Sequence, residues 1–177
     1  MTTINERKTL ATVWLDGCSG CHMSFLDMDE RVLALAEHVA LVYSPLVDRK
    51  DFPESVDITL IEGAVSSEED LKKIKLVRQH TKTLISLGDC AVTANVPSMR
   101  NAFGVEAILD KANGVNVRQT SPFVPTLLPT SRPVHSMVKV DVYIPGCPPS
   151  ADTIYYVLQE LLAGRVPNVS AHTRFGA

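Results

Sequence analysis

The sequence lacks the features that would place it in a membrane, outside the cell or on nucleic acid. None of its apolar runs approaches the ~20 residues of a membrane span. Its start, M-T-T-I-N-E-R-K-T-L, contains neither a signal-peptide apolar stretch nor a twin arginine, so the expected home is the cytoplasm. There is no excess of basic residues: 17 Lys and Arg stand against 20 Asp and Glu, a net charge of -3, which argues against a nucleic-acid partner. No internal repeat is visible. Cysteine is scarce, with four in 177 residues: Cys18, Cys21, Cys90 and Cys147. In a secreted chain they would suggest two disulfides, whereas in a cytosolic one they point to metal or redox chemistry.

What is present is an ordinary globular composition, 45% hydrophobic and 21% charged, long enough for one domain spanning residues 1–177 with a real core. Apolar β-rich runs mark strands at Thr9–Leu15, Val39–Tyr43, Val56–Ile61, Thr83–Leu87 and Val138–Ile144. Helical spacing marks Met23–His38, a helix opening at Ser66, and a last helix capped by Ser150 with Gly164 at its end. Ser66 and Glu69 fit a capping box. Glu68, Glu69 and Asp70 in the first turn, with Lys75, Arg78 and His80 near the end, suit the helix dipole. Strands alternating with helices predict an α/β fold. The expected form is a flavodoxin-like doubly wound parallel sheet of about five strands in the order 2-1-3-4-5.

The segment 103–137 is weakly patterned. It holds Pro122, Pro125, Pro129 and Pro133 with Phe123, Val124, Leu127 and Leu128 among them. It reads as a long irregular insertion before the last strand. Either it packs on its own domain or its apolar side chains form a partner surface.

The cysteines fall in a pattern on this map. Cys18 and Cys21, in D-G-C-S-G-C-H, follow the first strand. Cys90, in G-D-C-A, follows the fourth, and Cys147, in P-G-C-P-P-S, follows the fifth. In a doubly wound sheet those loops share the carboxyl edge where ligands bind, so four thiols scattered in sequence can converge. Gly17, Gly20, Gly88 and Gly146 let the backbone turn tightly there. Four thiolates suit a 4Fe-4S cluster first and a structural zinc second. Unlinked buried cysteines, or thioredoxin-like use of C-S-G-C, are the remaining readings. The flavin-binding alternative lacks a phosphate-cradling run such as T-x-T-G-x-T after the first strand, where the cysteine pair stands instead.

These motifs, together with I-E-G-A after the third strand and V-D-V-Y-I-P-G-C-P-P-S before the last helix, resemble the small subunit of a NiFe hydrogenase from about Thr9 to Gly164. The resemblance implies that Cys18, Cys21, Cys90 and Cys147 ligate one 4Fe-4S cluster facing a NiFe centre on a large subunit. The cluster-bearing subunit of respiratory complex I is similar, but carries adjacent cysteines in its first motif; C-S-G-C favours hydrogenase. The short, leaderless chain looks most like the small subunit of the cytoplasmic NAD-reducing type. That type implies iron-sulfur and flavin diaphorase subunits bearing FMN and further clusters. Small subunits of other cytoplasmic hydrogenases and sulfhydrogenases remain alternatives, as does an assembly module stabilised by zinc on the four cysteines.

Other side chains near the expected edge carry weaker signals. Asp16 and Glu62 stand at strand ends and suit a proton relay, an interface or simple loop capping; capping is favoured for Asp16. His22 suits a hydrogen bond to a cluster sulfur or to a partner residue, or is simply a polar residue at a helix start, and the last is favoured. Thr93, Ser98 and Arg100 follow Cys90 without a distinguishable role. Trp14, Met23 and Phe25 are expected in the core, and His135 at the surface or an interface.

Overall fold

The computed structural model describes residues 7–114 and 123–173; Pro122 of the proline-rich segment lies outside the described residues. The strands are β1 (Lys8–Trp14), β2 (Val39–Tyr43), β3 (Val56–Glu62), β4 (Val65–Ser67), β5 (Thr81–Leu87), β6 (Leu127–Arg132) and β7 (Val142–Ile144). The helices are α1 (Gly20–Leu26), α2 (Arg31–His38), α3 (Glu68–His80), α4 (Gly88–Thr93), α5 (Asn95–Ser98), α6 (Val105–Asn113) and α7 (Ala151–Leu162). Five strands form the main sheet in the order β2-β1-β3-β5-β7, every neighbouring pair parallel. Counting main-sheet strands alone, this is the expected 2-1-3-4-5.

Parallel strands covered on both faces read as nearly continuous apolar runs, and successive side chains serve opposite faces. Leu60 of β3 and Ile85 of β5 face a core completed by Phe25, Met28, Ile154 and Leu158 from α1, α7 and the turn after α1. Their neighbours Ile61 and Leu84 face a second core with Ile74 and Val77 of α3, Ala91 of α4 and Val134. Each fully buried aliphatic side chain contributes about 1.5–3 kcal/mol, so the two layers clamp the sheet. The strand ends on its carboxyl edge are thereby held at fixed heights.

The structure departs from the sequence expectations at four places. The stretch Met23–His38 is two helices, because Asp29 takes a positive φ of 52° between them. That break turns Met28 inward to 1% exposure. The cap of α3 is Ser67, paired with Asp70, one residue later than the Ser66–Glu69 reading. The last strand starts at Val142 rather than Val138. Just ahead of it, Asp141 bonds Leu84 both ways: its carboxylate accepts from Leu84 N–H at 2.8 Å and its own N–H donates to Leu84 O at 3.0 Å.

The fourth departure is the insertion, whose described residues hold α6 and β6. Strand β6 pairs antiparallel with β4 in a second, two-stranded sheet. The Asn101 side chain extends this pairing, donating to Ser131 O at 2.9 Å and accepting from Ser131 N–H at 2.7 Å. Arg100 donates to Ser66 O and Leu128 O. Val134 and Leu128 of this segment pack on the domain, while Phe103, Phe123 and Val124 are exposed.

Candidate functional site

All four cysteines stand where the carboxyl ends of β1, β5 and β7 come together. Cys18 sits in the turn after β1, and Cys21 in the first turn of α1. Cys90 lies in α4 directly after β5, and Cys147 in the loop after β7, where the Cys147–Pro148 peptide bond is cis. None is in a disulfide; Cys18 and Cys147 are exposed, Cys90 half-buried and Cys21 buried.

The loops touch one another through glycine. A Cβ on Gly88, whose φ is +80°, would lie 2.2 Å from Cys21 Sγ and 3.4 Å from Gly146 O. No other residue type fits between those loops. A pair of hydrogen bonds completes the junction: Gly146 N–H donates to Asp89 Oδ1 at 2.7 Å and Asp89 N–H donates to Gly146 O at 2.9 Å. The turn carrying Cys90 is thus tied to the turn carrying Cys147.

Burial first, then the negative charge of Glu62 and of the other three thiolates, pushes the Cys21 thiol far above its ordinary value. Cys90 is pushed up too, by burial foremost, with Cys147, Cys18 and Glu62 acting in the same direction and the Val96 N–H opposing. Sulfurs buried in this way carry negative charge only with a positively charged group beside them. Donors face the sulfurs: Gly20 N–H stands 3.4 Å from Cys18 Sγ, and the Asn95 side-chain amide 3.8 Å from Cys147 Sγ. Thiol ligands converging from separate loops, with N–H groups turned to the sulfurs, fit an iron-sulfur cluster. Among the described residues, no group of three or more His, Cys, Asp or Glu side chains is drawn together closely enough to hold one metal ion.

The other expected residues separate clearly. Glu62, at the end of β3, is 1% exposed, and its carboxylate lies against Gly17 and His22, on either side of the Cys18–Cys21 turn. His22 is not a solvated helix-start residue: it is 4% exposed, and its ring Nδ1 meets Glu62 Oε2. Asp16 stays exposed and serves through its backbone, in a bridge with Ala64. Thr93 and Ser98 bond backbone carbonyls one turn away in their own segment. Phe25 is in the core, but Trp14 and Met23 are exposed, at 44% and 55%. Both lie on the cysteine-bearing β1–α1 segment, which leaves them facing outward at the sheet edge. His135 is exposed, with its ring edge against Tyr143.

Sequence reasoning missed the clasp between Asp89 and Gly146, the amide of Asn95 and the burial of His22. A signal for the last existed in V-D-I-T-L-I-E: a carboxylate ending an apolar strand with no basic neighbour in sequence needs a donor from elsewhere.

The fold and the edge define a flavodoxin-like α/β protein with four cysteines at the carboxyl end of its sheet. The chain belongs to the family described as NADH ubiquinone oxidoreductase, 20 Kd subunit, whose pattern matches residues 18–161. It is 44% identical over 165 residues to the NAD-reducing hydrogenase HoxS subunit delta of Cupriavidus necator, covering 88% of this chain and 79% of that one. It is 28% identical over 156 residues to the sulfhydrogenase 2 subunit delta of Pyrococcus furiosus, covering 86% of this chain but only 61% of that one. A chain in the crystal structure of a NAD+-reducing [NiFe]-hydrogenase superposes with a TM-score of 0.89 at 38% identity, covering 96% of this chain and 99% of that one. The [NiFeSe] hydrogenase of Desulfovibrio vulgaris Hildenborough shares the fold, with a TM-score of 0.61 at 18% identity, over 92% of this chain and 62% of that one. The resemblance to NiFe hydrogenase small subunits is borne out, and the chain is homologous to a subunit of an oxidoreductase. No helix among the described residues is long and apolar enough to cross a membrane.

Proposed function

We propose that this chain is the electron-transfer small subunit of a cytoplasmic NiFe hydrogenase. Cys18, Cys21, Cys90 and Cys147 hold one 4Fe-4S cluster. The partners are a NiFe large subunit and iron-sulfur and flavin diaphorase subunits that reduce NAD. The observation that carries the reading is the convergence of four free thiols from three loops on one sheet edge. A 4Fe-4S cluster held there supplies one-electron chemistry.

The chain's own residues do the holding and the exposing. The cysteines supply the ligand charge, while Gly20 and Asn95 turn donors to the sulfurs. Two cysteines reach the surface, and exposed apolar side chains stand on the same segments: Trp14 and Met23 beside Cys18 and Cys21, Val96 and Met99 after Cys90. Apolar surface around exposed ligands supports a covered, subunit-facing edge.

Iron and acid-labile sulfide analysis of the natively purified complex, with EPR after reduction under hydrogen, tests this. The expected result is about four irons and four sulfides assigned to this chain, lost when Cys90 or Cys147 becomes Ser. One zinc per chain without sulfide overturns the cluster reading. A complex that oxidises hydrogen but reduces an acceptor other than NAD retains the cluster role and replaces the diaphorase assignment.

A further inference from the structure

Helix α1 begins without a cap of its own. Its N-cap residue, Ser19, takes a left-handed conformation and its side chain makes no capping bond. The first turn nevertheless holds Cys21, and its amide donors need acceptors. One acceptor comes from outside the helix. The His22 N–H, third in α1, donates to Glu62 Oε2 at 2.9 Å. The His22 ring Nδ1 meets the same oxygen. A carboxylate from β3 thus caps a helix that follows β1.

Both partners are buried, with side chains 5% and 2% exposed for His22 and Glu62. An unpaired carboxylate at such a depth is strongly unfavourable, so the pairing is obligatory for Glu62. The other side of the carboxylate is closed by Gly17. A Cβ there would stand 3.4 Å from Glu62 Oε1 and 3.2 Å from Gly63 Cα. Glu62 is therefore clasped between the residue before Cys18 and the residue after Cys21. Its carboxylate is near enough to raise both the Cys21 and the Cys90 thiol, after burial.

We propose that Glu62 and His22 are positioning residues that brace the Cys18–Cys21 turn against the end of β3 and set a fixed negative charge beside the group held by the four thiolates. The electrostatic half rests on the cluster reading above; the bracing half does not. A nearby negative charge opposes the arrival of an electron, so it lowers the reduction potential.

The test compares Glu62→Gln, Glu62→Asp and Glu62→Ala in the intact complex. It uses hydrogen exchange of the peptide holding Cys18–Phe25, iron content, and an EPR-monitored redox titration. Glu62→Ala and His22→Ala are expected to speed exchange in that peptide. Glu62→Gln keeps an acceptor for the His22 N–H, so it is expected to load iron and to titrate at a higher midpoint than wild type. If the glutamine variant assembles poorly, Glu62→Asp carries the charge arm: it keeps the carboxylate and is expected to titrate at a lower midpoint than loaded Glu62→Ala. Unchanged exchange in both alanine variants overturns the brace, with or without a cluster. A wild-type midpoint in loaded Glu62→Gln, or equal midpoints in Glu62→Asp and Glu62→Ala, overturns the charge role. Wild-type complex lacking sulfide overturns the cluster reading separately, and the exchange result still decides the brace.

Discussion

Gly88 leaves no room for a side chain against Cys21: a Cβ there would lie 2.2 Å from the cysteine sulfur. The same glycine carries a φ of +80°, so two constraints meet at one residue. They can be separated, because Gly104 has a φ of +75° with nothing within 4 Å of its missing Cβ. Gly104→Ala therefore isolates the backbone cost, about 1–3 kcal/mol. Gly88→Ala adds a collision at the cysteine site. The expected outcome is that Gly104→Ala lowers the melting temperature but keeps wild-type iron content, while Gly88→Ala loses iron. Equal iron in the two variants would show that Cys21 shifts freely.

Asp89 joins two cysteine-bearing turns through its side chain and its backbone. Asp89→Asn retains an oxygen facing the Gly146 N–H, whereas Asp89→Ala leaves that buried donor unpaired at a cost of about 1–3 kcal/mol. Iron retention during dilution with a chelator is expected to fall in the order wild type, Asp89→Asn, Asp89→Ala. Identical release rates would mean that Gly146 is held by the rest of its loop.

How much of this was legible in the sequence depends on how local each cause is. Strands β1, β3 and β5 betray themselves because burial on both faces writes an apolar run into each. The edge strands β2 and β7 are short apolar runs although only partly buried, and Cys18, Cys90 and Cys147 then fall at strand ends by counting. The small sheet was hidden: β4 is three residues long, and β6 carries Pro129 and polar side chains, so neither shows a clean period. Its pairing is long-range, held by Asn101 and Arg100. The break between α1 and α2 was hidden because Met28 continues the apolar stripe across it. His22 was misread because a histidine after a cysteine looks solvated until β3 brings Glu62 beneath it.

The cap of α3 shows a different ambiguity. Ser66 and Ser67 each have an acid three residues on, Glu69 and Asp70, and local pattern alone cannot choose. The structure selects Ser67, whose hydroxyl accepts from Asp70 N–H at 3.1 Å while Asp70 accepts from Ser67 N–H at 2.9 Å. Ser67→Ala is expected to destabilise the domain by about 1 kcal/mol. Glu69→Ala is expected to stay within about 0.5 kcal/mol of wild type. Denaturant unfolding of both variants checks the assignment; a larger loss at Glu69 would return the cap to Ser66.

At the opposite, amino-terminal edge of the sheet, Asp57 links three strands. Its carboxylate accepts from Thr9 N–H at 2.8 Å, from Thr9 Oγ1 at 2.9 Å and from Lys82 Nζ at 2.7 Å. Burial works against the charged form, but the Lys82 bond and the two Thr9 bonds outweigh it and hold the pKa down at about 2, from an ordinary 3.8. Because the folded value lies below the unfolded one, the unfolded chain binds the proton first as pH falls. The contribution of Asp57 is therefore complete above the ordinary carboxylate value and disappears as pH drops toward 2. Asp141 shifts the same way: burial opposes, and the Leu84 N–H and Arg78 prevail, so it adds a background acid loss that does not depend on Asp57. The diagnostic quantity is thus the gap between wild type and Asp57→Asn, not either curve alone. Urea midpoints are expected to differ most at neutral pH and to converge in strong acid. A gap that stays constant across that range would show that Asp57 acts through shape and hydrogen bonding alone, with no contribution from its charge.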